Sequence, residues 1–232
     1  MRLYRAFSSW AFFVLLPTGA LAQESYKVEV SKELPPGALS SAVRGVLASE
    51  GFRFLDAKGK PFAEIWLRKA VPASEKPTSP KGPVQFPFLA EGELLGAMRF
   101  VAEGHDFRDQ TIAKGVYTLR YGLQPQNGDH NGSSEFRDFA LLLPAAKEVA
   151  VVAIPKKALE ERSAESAGSS HPAVFVLLTA PSTSAPAGAP TITRDDQKDT
   201  WGVVMPMNLE VKGASGPTPF SIQLIIIGAA MV

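Results

Sequence analysis

The sequence predicts an all-β fold: a mainly antiparallel β-sandwich of about nine strands with one or two short helices. Three observations lead there. Short apolar segments rich in β-branched and aromatic residues recur along the chain, each bounded by turn-forming residues. Only two stretches, one with helical apolar spacing and one charged run, have the character of a helix. No internal repeat divides the 232 residues, so one β-sandwich-like domain over 23–232 is expected.

The chain begins with the three parts of a cleavable secretory signal peptide at 1–22. Arg2 and Arg5 supply the positive region and Trp10–Leu16 the apolar core; Pro17 and Gly19 break the helix before Ala20-Leu21-Ala22, the small-residue cleavage site. The apolar run falls well short of the roughly 20 residues that cross a bilayer, so no permanent membrane anchor is expected. No cysteine follows it, which excludes a lipid-anchored lipoprotein. The mature chain, from Gln23, is therefore expected outside the cytoplasm, periplasmic or extracellular.

Tyr26–Val30 alternates at period two and reads as a first strand. Leu39, Val43, Val46 and Leu47 lie at helical spacing ahead of Gly51, which predicts a helix near Ala38–Ser49. Asp56–Lys60 is a turn between two alternating arms, the pattern of a β-hairpin. The four prolines of 72–83 mark a loop. Beyond it, Val84–Leu89, Leu94–Val101, Gly115–Leu123, Phe139–Pro144 and Val149–Pro155 each have strand length and composition. Lys156–Ser166 can form a charged helix, and Ala173–Thr179 a strand. A second Pro-rich loop follows at 180–190. Trp201–Val211 and Phe220–Val232 close the chain as strands, the last apolar enough to be buried. Phe139–Leu143 is so uniformly apolar that both its faces should be covered, Leu142 included.

Composition excludes several function classes. Without its leader the chain keeps 22 basic groups against 23 acidic ones, so nothing attracts nucleic acid or an anionic membrane. The absence of cysteine rules out disulfide staples, thiol catalysis and cysteine metal sites. The sequence lacks a nucleophile elbow, an S-x-x-K pair, an H-E-x-x-H helix, a P-loop and a dinucleotide fingerprint. A carboxylate pair for glycoside chemistry needs no sequence proximity and stays open.

The segment Gly115–Glu148 stands apart. Two strand-like arms flank the polar, glycine-rich stretch Gln124–Arg137, and long loops on rigid sheets are where sites tend to sit. GVYTLRYGLQPQNGDHNG followed by EFRDFALLLPA resembles a group of exported bacterial β-rich proteins with no assigned activity. EIWLRK upstream, and HPAVFVLL with a tryptophan-led strand downstream, extend the resemblance over most of the mature chain. It implies export and a β-rich fold, and carries over no catalytic residue.

Within the loop, Asn127, Asp129, Asn131 and Asp138 match the oxygen positions of a calcium loop, with Gly132 at the sharp turn. Against calcium, Asn stands first where Asp is usual, Asp stands last where Glu is usual, Ser134 replaces an apolar residue, and the flanks are strands. Asn, Asp and Gly also form ordinary turns, and a metal-free turn is the simpler reading. A second arrangement joins His130 to His105 of the turn EGHDFRDQ, with Asp109, Asp129 and Glu135; two histidines and a carboxylate suit zinc or iron. It requires the two turns to meet at one end of the sandwich, and the plain alternative is solvated turn residues. Arg120, Arg137 and Asp138 read as an Arg–Asp pairing at adjoining strand ends. Trp66 and Trp201 read as core or edge aromatics; a sugar platform needs exposed rings.

Two function classes follow. The first is a non-catalytic envelope module binding a partner protein, a polysaccharide or a small ligand through Gln124–Arg137. The alternative is a metal-dependent, hydrolase-like enzyme using the His105 and His130 loops.

Overall fold

The computed structural model describes residues 25–125, 134–181 and 188–229. The signal peptide expected at 1–22 lies outside them.

Among these residues the chain forms thirteen strands and two α-helices. In order they are β1 (Lys27–Ser31), α1 (Ser41–Val46), β2 (Gly51–Leu55), β3 (Pro61–Leu67) and β4 (Val71–Ala73). Then come β5 (Leu94–Phe100), β6 (Gly104–His105), β7 (Thr111–Ile112), β8 (Gly115–Leu123) and β9 (Asp138–Pro144). After α2 (Lys156–Ala167) follow β10 (Val174–Thr179), β11 (Thr191–Asp195), β12 (Thr200–Val211) and β13 (Thr218–Ile227).

One sheet takes all but β6 and β7, in the order β1-β2-β3-β5-β8-β9-β10-β13-β12-β11, with β4 added on β12. Every pairing in it is antiparallel except β4 with β12. The all-β class and the scarcity of helix are as the sequence predicts. The strands, however, make a single curled sheet where the sequence suggested the two sheets of a sandwich. The reason is β10. Its first half, Val174–Val176, pairs with β9, and its second half, Leu177–Thr179, pairs with β13. One strand thus carries the hydrogen bonding from one limb of the sheet into the other, the way corners form in curled β structures.

Both limbs feed one core. Phe54, Ile65, Met98, Phe100, Leu119, Leu142 and Phe175 meet Val203, Met205, Leu209, Ile222 and Leu224 there, all essentially buried. The two ends of the sheet also approach each other, with the Tyr26 and Trp201 rings edge to face at 5.2 Å. On the outer face, α2 covers β9. It is an unusual cover, because its buried side is Leu159, Ser163 and Ser166 rather than a leucine stripe. Ser163 Oγ donates to the Ala173 carbonyl and Ser166 Oγ to that of Leu142, so hydrogen bonds replace much of the usual apolar packing. Leu142 faces the main core while Leu141 and Leu143 face Leu159, so both sides of β9 are covered.

Three local expectations are corrected. α1 is shorter than Ala38–Ser49: Ser40 caps it through the Val43 amide, and the chain leaves helical geometry at Leu47. Val84–Leu89 is no strand. Pro83 and Pro87 offer no N–H, the Gln85 and Phe86 amides bond a carboxylate, and Phe86 and Phe88 plug the core beside Tyr121 and Phe220. Val149–Pro155 is an irregular strap whose carbonyls are taken by arginines instead of by a neighbouring strand. Conversely, β11 lies in a polar stretch, Thr191–Asp195, that gave no apolar signal.

Candidate functional site

Antiparallel order places alternate strand ends on the same rim. β8 ends at Leu123 opposite the start of β9 at Asp138, and β10 ends at Thr179 alongside. β4 and β12 end together at Ala73 and Val211, next to the start of β13. The connections after Ala73, Leu123, Thr179 and Val211 therefore begin at one end of the sheet. The first residues of both Pro-rich loops and the stem of Gln124–Arg137 are among them.

Asp138 ties this rim together. It is wholly buried, and its Oδ2 accepts from the Gln85 amide at 2.8 Å while its Oδ1 accepts from the Phe86 amide at 3.1 Å. The Tyr121 hydroxyl donates to the same Oδ1 at 2.6 Å. Burial, and then the carboxylate beside it, hold that phenol far above its ordinary pKa, so it remains a donor. Gln85 passes the connection on, its side-chain oxygen accepting from the Thr179 amide at 2.6 Å. At the stem itself, the Gln124 amide donates to the Arg137 carbonyl, Arg137 Nε returns a bond to the Gln124 carbonyl, and the Arg137 amide reaches Pro83. Four side chains, those of Asp138, Tyr121, Gln85 and Arg137, thus tie the roots of all three loops.

Asp138, the last of the calcium positions, faces inward and already accepts three hydrogen bonds. Coordinating an ion would require it to release buried amides, each costly to leave unpaired. Asn127, Asp129, Asn131 and His130 lie outside the described residues. His105 sits on the β6–β7 hairpin, which docks on the start of β10 through Asp106 and Phe107. Phe107 of the same turn packs on Phe139, ring centroids 6.5 Å apart, and Val174 pairs with Leu141, so the hairpin lies against β9 and β10. His105 is largely exposed, with Nδ1 3.3 Å from Asp109 Oδ1, and Glu135 is also exposed. No group of three His, Asp or Glu among the described residues is arranged to hold a metal.

The second polar centre was not read from the sequence. Arg120 is fully buried under the strap and does not pair with Asp138 as expected. Its Nε donates to Glu148 Oε2 at 2.6 Å. Its Nη1 donates to the Gly92 and Val152 carbonyls at 2.8 and 3.0 Å, and its Nη2 to Ala150 at 2.6 Å. Arg162 of α2 reaches the other Glu148 oxygen at 2.9 Å. Beside it Arg68 bonds Glu93 at 2.7 Å and the Val151 carbonyl at 2.9 Å. Burial raises the Glu93 pKa, with Arg68 opposing it. This centre is saturated and sealed, which makes it a clamp on the strap rather than a place for a ligand. Trp66 and Trp201 are both buried, so neither offers a sugar platform.

Comparison with protein-family models, with curated proteins and with solved structures gave no match.

Proposed function

We propose that this chain is a non-catalytic binding module, exported by way of residues 1–22, that takes a partner protein, a polysaccharide or a small ligand at the loop rim. Membership of the exported β-rich group that its Gly115–Glu148 segment resembles is part of the same reading. The observation that supports it is four connections rooted on one rim, the roots of three of them tied by Asp138, Tyr121 and Gln85. Irregular loops on a rigid sheet can vary in sequence without cost to the core, and a pinned root limits the entropy lost on binding. The near-neutral charge of the mature chain favours neither nucleic acid nor an anionic membrane.

The test is an NMR titration of the isotope-labelled mature chain with purified envelope polysaccharides and their oligosaccharide fragments. Amide shifts should cluster at the rim, around Ser74, Leu123, Arg137 and Thr179. Replacing residues 125–136 by an Asn-Gly turn should abolish them while leaving the unfolding midpoint within a few degrees. Shifts centred on the His105 hairpin, or consumption of an added fragment, overturn the reading in favour of an enzyme.

A further inference from the structure

β4 and β12 are the only parallel neighbours among the described residues, in register at Val71–Leu209, Pro72–Glu210 and Ala73–Val211. Antiparallel neighbours can be joined by a turn at a shared end; parallel neighbours cannot. Both chains run out at the same end and must diverge, which is why crevices open at the carboxyl ends of parallel strands. Here a cleft of about 520 Å³ opens at that place, between Ser74–Lys76 leaving β4 and Lys212–Ser215 leaving β12. This volume lies in the range of about 300–1,000 Å³ that takes small ligands.

Its walls are held by backbone. The Lys212 amide bonds the Ala73 carbonyl at 3.2 Å, and the Ser74 amide bonds Phe88 at 3.0 Å. The Ala214 amide closes back on Val211 at 3.0 Å, and Gly213, at φ +82°, makes the bend that a side chain would resist. The charge in the cleft is one-sided. Its single carboxylate, Glu75, faces Lys81 at 3.5 Å, whereas Lys76 and Lys212, one on each wall, have no carboxylate partner among the described residues. Ser74 and Ser215 add hydroxyls. Two lysines from opposite walls, with no carboxylate partner among the described residues, and two hydroxyls in the same lining suit an oxyanion.

We infer that the cleft at the carboxyl ends of β4 and β12 binds a small oxyanion-bearing molecule of about sugar size, with Lys76 and Lys212 holding its carboxylate, sulfate or phosphate. This rests on the reading of the rim as a binding face, but uses other residues than Gln124–Arg137. Calorimetric and NMR titrations with galacturonate, inorganic phosphate and neutral galactose test it. Galacturonate should bind saturably, shift the Lys76, Gly213 and Ser215 amides, and weaken as salt is raised. Phosphate should compete, which identifies the oxyanion as the group held; failure to compete while galacturonate binds overturns that assignment. The double variant Lys76→Gln with Lys212→Gln should lose at least tenfold in affinity with an unchanged unfolding midpoint, since both side chains are exposed. Equal binding of galactose, no shift at the cleft, or full affinity in the double variant overturns the inference. If the 125–136 replacement loses its polysaccharide while the lysine variant keeps it, the rim reading stands and the cleft reading falls.

Discussion

Arg120 illustrates how much one residue can say before its partner is known. An arginine in the middle of an otherwise apolar, aromatic strand announces a buried charge that must be paired. What it cannot announce is the partner. Asp138 is opposite in the same hairpin and was the natural choice, but the strand register sets Asp138 across from Leu123 and Arg120 across from Leu141. Glu148 reaches Arg120 only because the chain turns through Ala145–Lys147 and doubles back over β8. The arginine's remaining donors go to carbonyls of the strap and of Gly92, which no pattern of side chains in the sequence encodes. Replacing Arg120 by Met leaves Glu148 and three carbonyls short of a partner, and should cost about 3–5 kcal/mol in denaturant unfolding. A cost under about 1 kcal/mol would place Arg120 in contact with solvent.

At the level of elements, legibility followed the local source of each one's stability. β8 was predicted to its exact residues and β9 and β12 to within one, because their apolar side chains are both the signal in the sequence and the cause of burial. Val84–Leu89 and Val149–Pro155 carry the same composition without pairing as strands. Their backbones are satisfied by a carboxylate and by two guanidinium groups arriving from distant sequence. β11 failed in the reverse direction: it pairs along all of Thr191–Asp195 against β12, an edge whose polar residues give no apolar period. The loop rim was half legible. Gln124–Arg137 could be marked as a long loop, but its neighbours Gln85 and Thr179 are brought in by topology. For β9, where the reading was secure, Leu142→Ala should lower stability by about 2–5 kcal/mol, since the leucine is fully buried among the side chains of both limbs. An unchanged midpoint would contradict that placement.

Across the whole molecule, the position of the last strand has a consequence for when the fold can exist. β13 is the final strand in sequence, yet it sits between β10 and β12 in space and bonds to both. Until Thr218–Ile227 has emerged, β11 and β12 have only β4 to connect them by sheet pairing to what precedes, and half of the core's wall is missing. Pairings of such long sequence separation are slow to form, because the chain must close large loops before any contact repays the loss of freedom. The unfinished protein should therefore persist as an open chain during synthesis. A chain stalled at Pro217 is expected to be cleaved by dilute protease throughout β1–β12, and to gain resistance once the remaining residues are added. A resistant fragment spanning β1–β10 in the stalled chain would show instead that the first limb folds alone. If it does not, the protein spends its whole synthesis in a state that can be threaded through a narrow pore, and becomes rigid only when its last strand is set into the middle of the sheet.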